Sequence, residues 1–177
     1  MRKSFIICFV ISMCLLILVG CSKQEEKKDI IIETNYQQYD EFEAAFKKSL
    51  SALPEYTLFQ LSDVELDDGI TCHVFTIKDE LIDDTYHLRI DVNEESGIEW
   101  VYLTNGRKAY GNLQFAVFSL YAYQAMNMPE IDADAFYEQY DMFSKEDICK
   151  YDSYDGYEVS CLTIGEQITF SIRAEGY

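Results

Sequence analysis

Apolar residues recur every three or four positions from Tyr39 through Phe42, Phe46 and Leu50 to Leu53. That spacing predicts a helix over Tyr36–Leu53 with one buried face. Thr34 and Gln37 fit a capping box, in which each side chain satisfies a free backbone N–H, and Pro54 stops the helix. Beyond Pro54 the period shortens to two. Four strands are predicted, at about Thr57–Leu66, Ile70–Ile77, Thr85–Asn93 and Ile98–Thr104. Asp68-Gly69 marks a hairpin. A three-residue loop there sets Leu66 opposite Ile70, Val64 opposite Cys72, Asp63 opposite His73 and Leu61 opposite Phe75. In the third strand Tyr86, Leu88, Ile90 and Val92 face one way, and His87, Arg89 and Asp91 face the other as a solvated ladder.

A second helical stretch covers Tyr110–Met126, with no charge between Lys108 and Glu130. Asn112, Gln114, Ser119, Gln124 and Asn127 interrupt it, so it reads as a central core helix, not a membrane span. Pro129 ends it, and a third helix follows over Asp132–Phe143, with Phe136, Tyr140 and Phe143 inward. The last segment reads as a three-stranded meander: Asp147–Tyr151, Tyr157–Ile164 and Ile168–Arg173. A three-residue loop, Tyr154-Asp155-Gly156, would put Cys149 opposite Cys161 and Tyr151 opposite Val159. It would also oppose Asp152 to Glu158, an unfavourable like-charge pair. A Gly165-Glu166 turn puts Cys161 opposite Phe170 and Val159 opposite Ile172. The order α-ββββ-α-α-βββ predicts an α+β fold, with antiparallel strands in one or two sheets and helices packed on one face.

The N-terminus carries a different signal. Arg2 and Lys3 precede an uncharged apolar run, Phe5 to Val19, shorter than a relaxed membrane span. The residues Leu18-Val19-Gly20-Cys21 resemble a bacterial lipobox. The resemblance is confined to this segment. It implies a lipoprotein signal peptide over residues 1–20, cleavage after Gly20, and lipid attachment to the Cys21 thiol. It also implies export to the outer side of the cell membrane, where two or more acyl chains hold stably and one holds weakly. Ser22–Asp29 is polar and reads as a tether, so residues 21–33 form the lipidated linker and 34–177 a single α+β domain.

Composition narrows the function. The 32 acidic and 14 basic side chains give a net charge of −18, which becomes more negative once Arg2 and Lys3 are cleaved away. Such a chain has no basic patch for nucleic-acid phosphates and is repelled by anionic headgroups. Its membrane attachment therefore rests on Cys21. With 14 Tyr, 11 Phe and one Trp the chain has the material for a packed core, despite its charge.

Candidate chemistry is sparse. Of six cysteines, Cys8 and Cys14 leave with the signal peptide, and Cys72, Cys149 and Cys161 remain beside the lipidated Cys21. A Cys149–Cys161 disulfide is the candidate across the last hairpin, with Cys72–Cys161 and buried free thiols as alternatives. The two histidines are His73, which Asp63 would orient, and His87. No Gly-x-Ser-x-Gly, Cys-x-x-Cys, His-Glu-x-x-His or Gly-rich phosphate loop occurs. Acidic clusters lie at Asp63-Glu65-Asp67-Asp68, Asp79-Glu80-Asp83-Asp84 and Asp152-Asp155-Glu158. The last fails the calcium-loop spacing about Gly156, because Tyr151 and Ser153 stand where carboxylates or Asn are needed. The expectation is a membrane-tethered, non-enzymatic binding lipoprotein with a cationic protein or peptide partner and no cofactor or resident metal. The alternatives are a cell-envelope hydrolase using His73 with nearby carboxylates, or an acidic Ca²⁺-binding envelope protein.

Overall fold

Seven antiparallel strands hydrogen-bond in the order β1-β2-β3-β4-β7-β6-β5. The computed structural model describes residues 38–66, 69–79, 85–105, 113–144, 146–165 and 167–177. The strands are β1 Tyr56–Glu65, β2 Ile70–Asp79, β3 Thr85–Asn93, β4 Gly97–Asn105, β5 Ile148–Tyr154, β6 Tyr157–Ile164 and β7 Gln167–Ala174. The helices are α1 Tyr39–Leu50, α2 Leu113–Ala125 and α3 Ala133–Gln139. The two strand groups thus form one open sheet, joined where β4 pairs with β7. The predicted element order holds, and the helices lie on one face.

That face is built by strand alternation. Phe75, Leu88, Leu103, Phe170 and Cys161 form one row across five strands, and Ile90, Val101, Ile172 and Val159 form the next. All nine are buried. Phe42, Phe46 and Leu50 of α1 close over one end, as their spacing predicts. On α2, Phe115, Ala116, Phe118, Ser119, Leu120, Ala122, Tyr123 and Ala125 are buried, leaving little of its circumference in water. This is why the segment carries no charge. Ser119 satisfies its buried hydroxyl by donating to the Phe115 carbonyl at 2.8 Å. Asp132 caps α3 by accepting the Ala135 N–H at 2.9 Å. Phe136 then packs edge-on against Phe170. Among the described residues no helix is long and apolar enough to cross a membrane.

The capping pair Thr34 and Gln37 and Asp68 of the first hairpin lie outside the described residues. The hairpin register itself is as expected at Val64–Cys72 and Asp63–His73. A bulge between Gln60 and Ser62 departs from it, so Gln60 takes the position opposite Phe75 and Leu61 projects unpaired.

The β5–β6 hairpin is one residue out of the expected register. Tyr154 pairs with Tyr157, so the turn has two residues, Asp155 and Gly156. Their φ values are 46° and 84°. Positive φ at both positions is the type I′ geometry whose twist matches the flanking strands, and Asp-Gly suits it. Cys149 accordingly lies opposite Leu162, and Lys150 opposite Cys161. A one-residue slip moves every side chain to the other face. Cys149 and Tyr151 are exposed on the uncovered face, while Asp152 and Tyr154 turn toward the helices. The slip also separates Asp152 from Glu158, which now opposes Ser153. The expected Cys149–Cys161 disulfide is therefore not formed: the two thiols sit on opposite sheet faces and both are free, as is Cys72.

Candidate binding surface

Three features of the surface carry polar or aromatic groups that the core does not require. The first lies where α1 meets the sheet edge. His73 points toward the helices, and its Nδ1 is 2.7 Å from Asp63 Oδ1. Gln60 Nε2 donates to both Asp63 oxygens, at 2.7 and 2.8 Å. Hydrogen bonds from His73 and Gln60 hold the Asp63 carboxyl below its ordinary range. Tyr39 of α1 covers the imidazole, and its hydroxyl donates to Glu43 at 3.2 Å, with Lys47 on the same carboxylate at 2.8 Å. The imidazole is oriented by a carboxylate, as a general base requires.

The second feature is the uncovered face of the sheet. Arg89 grips Asp91 through Nε and Nη2 at 2.8 and 2.6 Å, and the Tyr177 hydroxyl donates to the same carboxylate at 3.2 Å. The Arg89 guanidinium lies 5.1 Å from the Trp100 ring centroid. Asp91 is fully buried by this cover, which corrects the expectation of a solvated His87-Arg89-Asp91 ladder. His87 alone of the three is exposed. Beside Trp100 runs a depression of about 400 Å³ lined by Trp100, Tyr151, Glu158, Ser160, Ser171 and Arg173. Arg173 and Glu158 pair at 2.6 Å, and the hydroxyls of Ser160 and Ser171 lie 3.0 Å apart. The β6–β7 register expected from the sequence already implies both contacts, whereas the expected β5 register places Tyr151 on the other face.

The third is a hollow of about 360 Å³ beside α3, lined by Asp134, Tyr137, Glu138, Asp141 and Phe143. The Tyr137 and Phe143 rings meet edge to face at 5.5 Å. Phe143, expected inward, is an exposed wall of this hollow, because the helix ends at Gln139 and Asp141 takes a positive φ of 49°.

Cys21 and the whole lipobox segment lie outside the described residues, as do Asp67, Asp68, Glu80, Asp83 and Asp84 of the acidic clusters. Among the described residues no group of three or more His, Cys, Asp or Glu is arranged to hold a metal ion. In the third cluster Asp152 accepts from Gln139 at 2.8 Å, Glu158 pairs with Arg173, and Asp155 occupies the turn. Compared with models of protein families, with curated proteins and with solved structures, the chain finds no match in any of the three.

Proposed function

We propose that this chain is a lipid-anchored, extracytoplasmic binding protein, tethered to the cell membrane through Cys21 and holding a cationic protein or peptide near the envelope. The observation that carries the cationic partner is the hollow beside α3. Its three carboxylates, Asp134, Glu138 and Asp141, surround two aromatic walls, Tyr137 and Phe143. A Lys or Arg side chain entering it meets negative charge at the rim and ring faces for its alkyl stem and cationic head. The net charge of −18 steers a basic partner from a distance and repels nucleic acid and anionic lipid.

The test is a cross-linked pull-down from envelope and secreted fractions at low and physiological salt, with the full chain in detergent as bait. The expected result is one saturable, basic partner whose binding weakens steeply with salt. Asp134→Asn combined with Glu138→Gln should weaken that binding by about tenfold or more. Salt-insensitive binding, or no partner with a folded bait, overturns the reading. A Cys21→Ala variant that still partitions fully with membranes overturns the anchor.

The 2.7 Å contact between His73 and Asp63 favours one second reading, an envelope hydrolase using the oriented imidazole. Hydrolysis of a cell-wall polymer that His73→Ala abolishes with the fold intact would establish it. Activity unchanged by that substitution removes the site.

A further inference from the structure

The two edges of the sheet differ in length and in the apolar side chains they expose. β5 is seven residues long, carries Lys150, and turns the charged Asp152 inward. Each of these discourages another strand from pairing. β1 is ten residues long and contains neither Lys nor Pro. Among the described residues no strand lies on its far side. Phe59, Leu61, Val64 and the adjoining Leu66 are all exposed, Leu61 by 59%.

The register sorts this edge into two rims. Phe59, Val64 and Leu66 fall on the uncovered face, opposite Thr76, Cys72 and Ile70. Asp63 and Glu65 fall on the helix side, opposite His73 and Thr71. The uncovered rim is apolar apart from Ser62, and the helix-side rim holds Gln60 and the two carboxylates. Beyond the bulge, Ser62–Leu66 alternates strictly, so a strand whose side chains alternate between apolar and basic matches both rims there.

We propose that Phe59–Glu65 is a docking edge at which an extended segment of alternating basic and apolar residues, belonging to the partner polypeptide, adds as an eighth strand. The assignment rests on the cationic-partner reading and names how that partner is held. Backbone hydrogen bonds along seven residues, about 24 Å of strand, give affinity. The basic side chains neutralise Asp63 and Glu65, and the apolar ones extend the row of Phe59, Val64 and Leu66. A second copy of this chain is disfavoured as the occupant. Pairing β1 with itself places no basic residue opposite Asp63 or Glu65 in any register. The bulge at Leu61 also bends the edge away from another rigid sheet, while a flexible segment can follow it.

The test uses the full chain in detergent and a nine-residue probe of alternating Lys and Val. Two further probes accompany it, one of alternating Glu and Val and one Lys-Val peptide N-methylated at alternate amides. Hydrogen exchange locates the contact. The expected result is protection of the amides of Phe59–Glu65 by the Lys-Val probe, with no binding of the Glu-Val probe. The N-methylated probe should bind at least tenfold more weakly. So should the probe against Val64→Lys, or against Leu61→Lys, whose side chain is the more exposed. Equal binding of the N-methylated probe reveals plain charge attraction and overturns the docking edge. So does protection confined to the α3 hollow or the Trp100 depression, which leaves the cationic-partner reading standing. Concentration-dependent self-association that protects the same amides replaces the partner with a second copy. No binding of the probe also overturns the edge, and the pull-down then decides separately whether a cationic partner exists.

Discussion

Tyr39 of α1 lies face to face on His73 of β2, their ring centroids 4.0 Å apart and 13° from parallel. The contact fastens the first turn of α1 over the β1–β2 end of the sheet. Burial, and then the neighbouring Glu43, push the Tyr39 hydroxyl's pKa well above its ordinary value. The ring therefore stays neutral across the physiological pH range.

Asp63 gives the first prediction. Its pKa is depressed below the ordinary value of 3.8 by His73 and Gln60. A carboxylate with a depressed folded pKa stabilises the fold fully above its unfolded pKa, and that contribution is lost as pH falls through the folded value. Wild type should therefore melt above Asp63→Asn at neutral pH, and the gap should close as pH drops below about 4. A gap independent of pH down to 2, measured by thermal unfolding, would refute a stabilising role for the ionised Asp63 carboxylate.

Arg89 and Asp91 give the second. Asp91 is fully buried, and two Arg89 nitrogens, the Tyr177 hydroxyl and the Cys72 thiol hydrogen-bond to it. Arg89→Ala strips a buried carboxylate of its charged partner and should cost about 1–3 kcal/mol in denaturant unfolding. Arg89→Met with Asp91→Leu removes both charges and should recover most of that loss. A double variant no more stable than Arg89→Ala would show that packing, not the stranded charge, sets the cost.

The β5–β6 turn gives the third. Gly156 holds φ at 84°, a conformation that costs a side-chain-bearing residue about 1–2 kcal/mol. Gly156→Ala should lose about that much stability, while Asp155→Asn, at φ 46°, should be close to neutral. Equal losses from both would contradict a type I′ turn.

The thiols give the fourth. Cys149 is exposed, so a maleimide should modify it in the native protein, leaving Cys72 and Cys161 unmodified until unfolding. Peptide mapping by mass spectrometry reads this directly. Burial raises the Cys72 thiol to about 11, with Asp91 adding to it, and raises Cys161 to about 12. An acid whose folded pKa is raised stabilises the fold below its unfolded pKa, and that contribution is lost as pH climbs toward the folded value. Stability should fall between about pH 8.5 and 12, and less steeply in Cys161→Ala. An unchanged slope in that variant would exclude Cys161 as a contributor.

The element order, the inner faces of α1 and β3, and the registers of β1–β2 near Asp63 and of β6–β7 are legible in the sequence. Each follows from a local period of 3.6 or 2, or from a short turn, and hydrophobic burial acts on that period directly. The β5 register was legible in principle, since Asp-Gly favours a two-residue turn. A three-residue turn gives β5 the same number of apolar inward positions, and only the pairing with β6 decides between them. The single sheet, the Tyr39–His73 stack and the burial of Asp91 under Arg89 and Tyr177 were decided by tertiary structure alone. They join residues far apart in the chain, and no local period carries that information. The amino-acid sequence by itself thus determines which residues want burial and in what rhythm. The assembled sheet decides which strand becomes the edge, and with it which apolar and acidic residues of β1 remain open to a partner.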